Sequence, residues 1–351
     1  MQFGHKTVSL LLLLLALVLV FFLVMTGCSS NKPEQKEQEP PEEQLNNEQE
    51  VETEIGLIAP LTGEPVEEEA LITRRPLAVI IDNDPTFGAQ SGLDKAAWVY
   101  EIAAEGGITR FLAVYQHQDA PVLGPVRSAR DYFLDRALEF EAALAHIGYS
   151  PQAKKDIPQL GIISLNEFAL PKLYWRTEDK KMPHNLYTDT QGLFAEVEKR
   201  GLNKFTPKWE INHFKAEEDI PGVPVSRIRI HYPLGVVEYR YQAASGAFAR
   251  SFRGQPHREG ETGQQIQVNN VIIQQVERPR VLDSEGRLEL KMVGKGEAKV
   301  FRAGKGVDAT WEKKSRYAWT NYYGPDGDIV SFIKGNTWVQ VVPEGTRIEI
   351  E

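Results

Sequence analysis

Pro76-Leu77-Ala78-Val79-Ile80-Ile81-Asp82-Asn83-Asp84-Pro85 sets the fold class of this chain. An unbroken aliphatic run rich in β-branched residues ends in four turn formers. A short continuous run of this kind reads as a strand buried on both faces, because a strand with one wet face would alternate. Residues 97–103 and 109–116 are two further strand candidates, and Glu105-Gly106-Gly107 between them supplies the backbone freedom of a hairpin turn. Residues 130–143 change period: Phe133, Leu134, Ala137, Leu138 and Ala142 share one helical face. Residues 144–149 then read as a strand leading to a loop at Ser150-Pro151. Strands alternating with helices predict a mixed α/β layer over residues 76–212.

Past Pro221 the texture changes to short runs, 225–231, 236–241 and 270–276, separated by glycine and charged turns. Residues 299–302, 329–333 and 337–342 continue it, and a meander or small barrel fits them. The expected fold is therefore α+β: a mixed α/β amino-terminal domain followed by a smaller mainly-β domain over residues 222–351. The chain passes from one to the other near residues 204–224, where Pro207, Pro221 and Pro224 fall.

Upstream of the folded part, residues 1–6 carry one lysine and residues 10–24 are almost continuously apolar. Such a head and run form an export signal. The run ends in Met25-Thr26-Gly27-Cys28, the pattern of a bacterial lipobox with methionine in place of the commoner leucine. An uncleaved membrane anchor is the alternative, since a span needs roughly 20 apolar residues. Cys28 favours cleavage: it is the only cysteine of 351 residues and stands where lipidation requires one. A signal peptide over 1–27, lipid on Cys28 and attachment to the outer, extracytoplasmic face of the cell membrane follow as expectations, and a single cysteine excludes an internal disulfide.

Residues 28–75 are rich in glutamate, glutamine, asparagine and proline and read as an extended tether. Thirteen glutamates against Lys32, Lys36, Arg74 and Arg75 give this stretch a charge of −9, equal to that of the whole chain. The acidic balance is therefore a tether property, which argues against a nucleic-acid partner.

The densest candidate site is Gly124-Pro125-Val126-Arg127-Ser128-Ala129-Arg130-Asp131, at a loop-to-helix boundary. Ser128 suits an N-cap, with Asp131 three residues on. Arginines oppose the dipole of a helix start, so Arg127 and Arg130 could hold an anion against the free backbone amides. They could equally pair with internal acids such as Asp131, Glu101 or Glu105. A second candidate is the basic loop around Lys180-Lys181-Met182-Pro183-His184-Asn185, where His184 could bind an anion, exchange a proton or serve as an ordinary structural partner. Asp82-Asn83-Asp84 at a strand end could take a cation but is foremost a turn.

Other chemistries lack their motifs. The seven histidines show no zinc-ligand spacing, and Walker and Gly-x-Ser-x-Gly patterns are absent, so no metal or cofactor is expected. A triad of Ser128 with His184 or His146 has no support from spacing. Trp311, Trp319, Trp338, Tyr317, Tyr322 and Tyr323 could form a sugar-binding face, though aromatics in small β domains mainly fill the core.

Several blocks together resemble the YerB-like lipoprotein family of Gram-positive bacteria, whose domains are classed as of unknown function. They are Gln90-Ser91-Gly92-Leu93, Val99-Tyr100-Glu101, residues 105–111, residues 124–130, His184-Asn185-Leu186-Tyr187 and Gly335-Asn336-Thr337-Trp338-Val339. The resemblance implies a lipobox, an acidic linker, an α/β domain and a smaller β-rich domain, and it implies no activity. Two functions remain open. One is a lipoprotein that binds an anionic envelope ligand, such as a cell-wall glycan or an anionic small molecule, or that scaffolds an envelope protein; Arg110, Arg127 and Arg130 would form its clamp, with Asn83, Ser128, His184 and Asn185 around it. The other is an envelope hydrolase or transferase with His184 or Glu105 as acid or base.

Overall fold

In the computed structural model, residues 56–206 and 214–351 are described, and residues 54–351 form one compact unit. The expected signal peptide, lipidated Cys28 and the tether up to residue 55 lie outside the described residues. The remainder of the tether expectation is corrected. Ala59 and Leu61 are fully buried, Trp98 Nε1 donates to the Leu61 carbonyl at 3.0 Å, and Glu69–Thr73 is a short helix. Acid-rich composition concealed two small apolar anchors.

The first half contributes β1 (Leu77–Asp82), β2 (Trp98–Ala103), β3 (Thr109–Tyr115), α1 (Asp131–Glu139), β4 (Ala143–His146), α2 (Pro151–Gln159), β5 (Ser164–Asn166) and α3 (Thr190–Lys199). The second contributes β6 (Arg227–Tyr232), β7 (Gly235–Gln242), β8 (Ala247–Phe252), β9 (Asn270–Val276), β10 (Gly294–Arg302), β11 (Lys305–Lys313), β12 (Asn321–Tyr323), β13 (Thr337–Pro343) and β14 (Ile348–Ile350). The α/β and mainly-β characters are as the sequence predicts.

The two halves share one sheet. Its order is β12-β11-β10-β9-β13-β2-β3-β1-β4-β5, with Val223–Pro224 added on β11. Residues 337–343 therefore do not join a local meander: β13 lies parallel to β9 on one side and parallel to β2 on the other. Residues 329–333 form isolated bridges rather than a strand. A smaller sheet, β8-β7-β6-β14 with short flanking strands, covers one face.

Both faces of the central strands β1, β3 and β13 are dry. Leu112, Val114, Val339 and Val341 pack with Phe133, Leu134 and Phe140 of the helical layer. Phe111, Ala113, Trp338 and Val342 pack with Tyr239, Phe248 and Ile230 of the small sheet. Trp311, Tyr322 and Trp338 are at most 3% exposed and Trp319 packs edge-on against Trp98 at 5.2 Å, so four of the six aromatics named for a sugar-binding face pack into the core, while Tyr317 is 56% exposed. A buried charge cluster also crosses between the halves. Glu139 accepts from Arg136, Tyr100 (3.1 Å) and Thr320 (2.9 Å) and pairs with Lys313 at 3.1 Å.

Because β13 completes the sheet for both halves, residues 54–351 should unfold in a single urea transition by near-UV dichroism and by hydrogen exchange. Val339→Asp, which places a carboxylate at a fully buried position, should abolish folding of both halves; an intact first half in this variant would contradict the shared-sheet reading.

Candidate functional site

The polar residues of the candidate site gather where β1 and β2 end and β3 begins. Alternation along the strands separates them into two groups. Arg110 shares the helical side with Leu112, while Thr109 and Glu101 share the other side with Phe111 and Val99.

On the helical side, Asp82 stands opposite Arg110 in the β1–β3 register. Asp82 Oδ2 accepts a hydrogen bond from His184 Nδ1 and lies 3.6 Å from Arg127 Nε. A carboxylate can only accept, so Nδ1 carries a proton and Nε2 is the nitrogen turned away from Asp82; Nε2 donates to an anion only in the doubly protonated ring. Phe87 stacks on the imidazole with ring centroids 3.4 Å apart. Glu105 in the hairpin turn pairs with Arg130 and, at 3.2 Å, with Arg110. Burial would raise the Glu105 carboxyl, but the hydrogen bond from Arg130 and the charge of Arg110 outweigh it and hold it below the usual carboxylate range. Burial, aided by Arg130 and Arg127, pushes Arg110 down to about 10, so it stays cationic at neutral pH.

Three guanidinium groups thus share two carboxylates. Among the described residues the buried Nε atoms of Arg110 and Arg127 have no hydrogen-bond partner. Arg127 Nη1 donates to the Pro183 carbonyl at 2.9 Å and Arg130 Nη1 to that of Ala129 at 3.0 Å. Lys180, within electrostatic range of Asp82, bonds Tyr187 Oη at 2.8 Å and the Ala89 carbonyl at 2.9 Å.

The helix-end premise of the sequence reading is corrected. α1 begins after Arg130, which is the N-cap residue with extended backbone, and no side chain caps it. Ser128 is therefore not the cap, and Asp131 completes no capping box. The physical reason lies in the neighbours of residues 126–129. Val126 N–H donates to Leu186 O (2.6 Å), Arg127 N–H to Ile80 O (2.8 Å) and Ala129 N–H to Gly148 O (3.1 Å), so these amides are already taken. Gly124 allows the close approach: a Cβ there would stand 2.7 Å from the Tyr187 ring and 2.9 Å from the Leu186 carbonyl. The amides of Val126, Arg127 and Ala129 are therefore not available to an anion.

Asn83 belongs to the other group. Its Nδ2 donates to Glu101 Oε1 (3.1 Å) and Thr109 Oγ1 (2.7 Å), and Arg250 Nη2 closes on Glu101 Oε2 at 2.8 Å. Asn185 braces its own loop, accepting from Arg176 (2.9 Å) and donating to the Thr177 carbonyl (3.0 Å). The structure places Arg127 and His184 on Asp82 and Arg110 and Arg130 on Glu105, with Arg127 and Arg130 both in electrostatic range of Arg110, and it adds Asp82, Phe87 and Lys180. Asp82 was readable in sequence as a turn former or a cation ligand but not as the partner of His184, which is 102 residues away. Among the described residues, no group of three or more His, Cys, Asp or Glu is placed to hold a metal.

His146 does not meet Ser128. Its Nδ1–H donates to the Gly148 carbonyl (2.7 Å) and Nε2 accepts from Ser164 Oγ (2.8 Å). Burial pushes its pKa down from 6.5 to about 4, so the fold favours the neutral ring. Its contribution is complete above pH 6.5 and is lost as pH falls from 6.5 toward 4, where the unfolded chain takes up the proton first; the loss is about 3 kcal/mol. Urea unfolding at pH 7 and pH 4.5 should show a smaller acid-dependent loss in His146→Asn than in the parent chain, and identical losses would contradict this assignment.

Comparison with known proteins agrees with this architecture. Residues 61–203 match the N-terminal domain and residues 228–339 the C-terminal domain of a protein family of unknown function, DUF3048. YerB of Bacillus subtilis (strain 168), named as a lipoprotein, is 33% identical over 296 residues, covering 82% of this chain and 87% of YerB. A crystal structure of Bacillus subtilis YerB matches with a TM-score of 0.74 at 31% identity, covering 84% of this chain and 99% of that one. The first match starts at residue 61, inside the stretch that composition assigns to the tether, where the buried Leu61 already belongs to the fold. With both domains matched in order and the relative similar over most of its length, this chain belongs to the YerB-like family of two-domain proteins of unknown function.

Proposed function

We propose that this protein is a lipid-anchored, extracytoplasmic lipoprotein that binds an anion through Arg127, Arg130 and His184. The observation that carries the reading is the imbalance of charge: Arg110, Arg127 and Arg130 are grouped around only Asp82 and Glu105. Among the described residues Arg127 Nη2, Arg130 Nη2 and His184 Nε2 have no hydrogen-bond partner, and they are not among the buried unpartnered atoms, so they are open to a ligand. Guanidinium groups offer forked donors that fit phosphate and carboxylate oxygens. Arg110, 4% exposed, would act from behind by adding charge. The ligand classes are an envelope phosphate, a glycan acid or a carboxylate of an envelope protein.

A second reading, an envelope hydrolase or transferase, draws on the His184–Asp82 pair, which orients Nε2 as a base would be oriented. Among the described residues no hydroxyl is hydrogen-bonded to that nitrogen, and Glu105, locked by two arginines, is unsuited to proton transfer. Binding is therefore the stronger reading.

Calorimetric titration of residues 54–351 with inorganic phosphate should show saturable binding. Arg130→Ala and Arg127→Ala should each weaken it about ten- to a hundredfold, the worth of one charge-assisted hydrogen bond. Unchanged affinity in both variants would refute the arginine site. For the anchor, Cys28→Ala in the full chain should release the protein from membranes, and retention would favour an uncleaved apolar segment.

A further inference from the structure

His184 and Arg127 meet at one carboxylate oxygen. Asp82 Oδ2 accepts from His184 Nδ1 and stands 3.6 Å from Arg127 Nε. Arg127 Nη1 also donates at 2.9 Å to the carbonyl of Pro183, the residue before the histidine. Phe87 lies flat on the imidazole, with centroids 3.4 Å apart and planes 10° from parallel, so the ring is held at one edge and on one face. The charged groups around it are Asp82 at the end of β1, Arg127 from residues 124–130, Lys180 from its own loop, and Arg110 of β3, opposite Asp82 in register.

With a proton fixed on Nδ1 by Asp82, the open Nε2 has two modes. In the singly protonated ring it accepts a hydrogen bond, and in the doubly protonated ring it donates one. An oxyanion that has lost all its hydrogens offers acceptors only. Against an accepting Nε2 it sets lone pair against lone pair, so it completes its contacts only when the ring takes up a second proton. Hydrogen phosphate differs. It has the double charge and tetrahedral shape of sulfate, but one of its oxygens still bears a hydrogen. That P–OH group donates to Nε2 while the remaining oxygens accept from Arg127, whose Nη2 is open.

We infer that His184 decides which anion the site takes: while its ring carries a single proton, the site selects an oxyanion that brings its own hydrogen, hydrogen phosphate, over one that brings none. This rests on the anion reading above and specifies its ligand. The proton between ring and anion comes from the ligand in hydrogen phosphate and from solvent when the anion is sulfate.

The test titrates residues 54–351 with inorganic phosphate, sulfate and methyl phosphate. At pH 8 phosphate should bind roughly ten- to a hundredfold more tightly than sulfate, the worth of one hydrogen bond to a charged group. Methyl phosphate, whose second pKa is about 6, has no hydrogen left at pH 8 and should bind there like sulfate. As pH falls, sulfate affinity should rise by up to about tenfold per unit, the slope for uptake of one proton. His184→Gln, whose amide can donate or accept, should bind phosphate and sulfate alike and show no pH slope for sulfate. Arg127→Ala should weaken both anions and preserve their ratio at pH 8. Equal phosphate and sulfate affinities at pH 8 would overturn the selection while leaving the anion site standing. A preference for phosphate that survives in His184→Gln would overturn the role of His184. Failure of all three anions to bind at either pH 8 or pH 5.5 would remove both readings.

Discussion

β13 is hydrogen-bonded to β9 along one edge and to β2 along the other, both in parallel. Parallel neighbours demand apolar residues on both faces, and the strand supplies them: Val339 and Val341 toward the helices, Trp338 and Val342 toward the small sheet. Without this strand β2 would present an open edge, and the hairpin it forms with β3 would lose its support from the second half. The positions of Glu101, Glu105 and Arg110 follow from that hairpin. The geometry of the candidate site is thus set by a strand from the other half of the chain, far from any site residue in sequence.

Buried charge is the second constraint. Glu139 with Arg136 and Lys313, and Glu101 with Arg250, are fully enclosed ion pairs in which each carboxylate gathers several donors. Removing one partner from such a pair costs about 3–5 kcal/mol, because the survivor keeps its desolvation penalty. The Arg110–Arg127–Arg130 cluster differs in kind. It has more cations than carboxylates, guanidinium donors left open and only partial burial of Arg127 and Arg130. Charge arranged this way is poor stabilisation and suited to a ligand that brings the missing anion.

Local pattern carried much of the architecture. The aliphatic run closed by Asp82 is β1, residues 270–276 are a strand at those bounds, and the Glu105-Gly106-Gly107 turn joins β2 and β3. What failed depended on partners far away in sequence. Residues 337–342 look like any short strand, and nothing local shows that β2 lies beside them. Ser128 looks like a cap until Ile80, Leu186 and Gly148 are seen to take the neighbouring amides. Ala59 and Leu61 are too few to break the acidic texture around them, yet both are buried. For the site, the density of arginine in residues 124–130 and the basic loop beginning at Lys180 were fair signals; Phe87 gave none, and Asp82 was marked only as a turn or cation candidate, because the pairing of Asp82 with His184 exists only once residues 180–187 fold back onto the end of β1.

The central claim is that Arg127, Arg130 and His184 together receive an anion. A crystal structure of residues 54–351 grown with phosphate tests it most directly. The account predicts density for a bound anion within hydrogen-bond distance of both arginines and His184 Nε2. Arginines that remain on Asp82 and Glu105, with no density between them at saturating phosphate, would contradict it and make the cluster part of the scaffold.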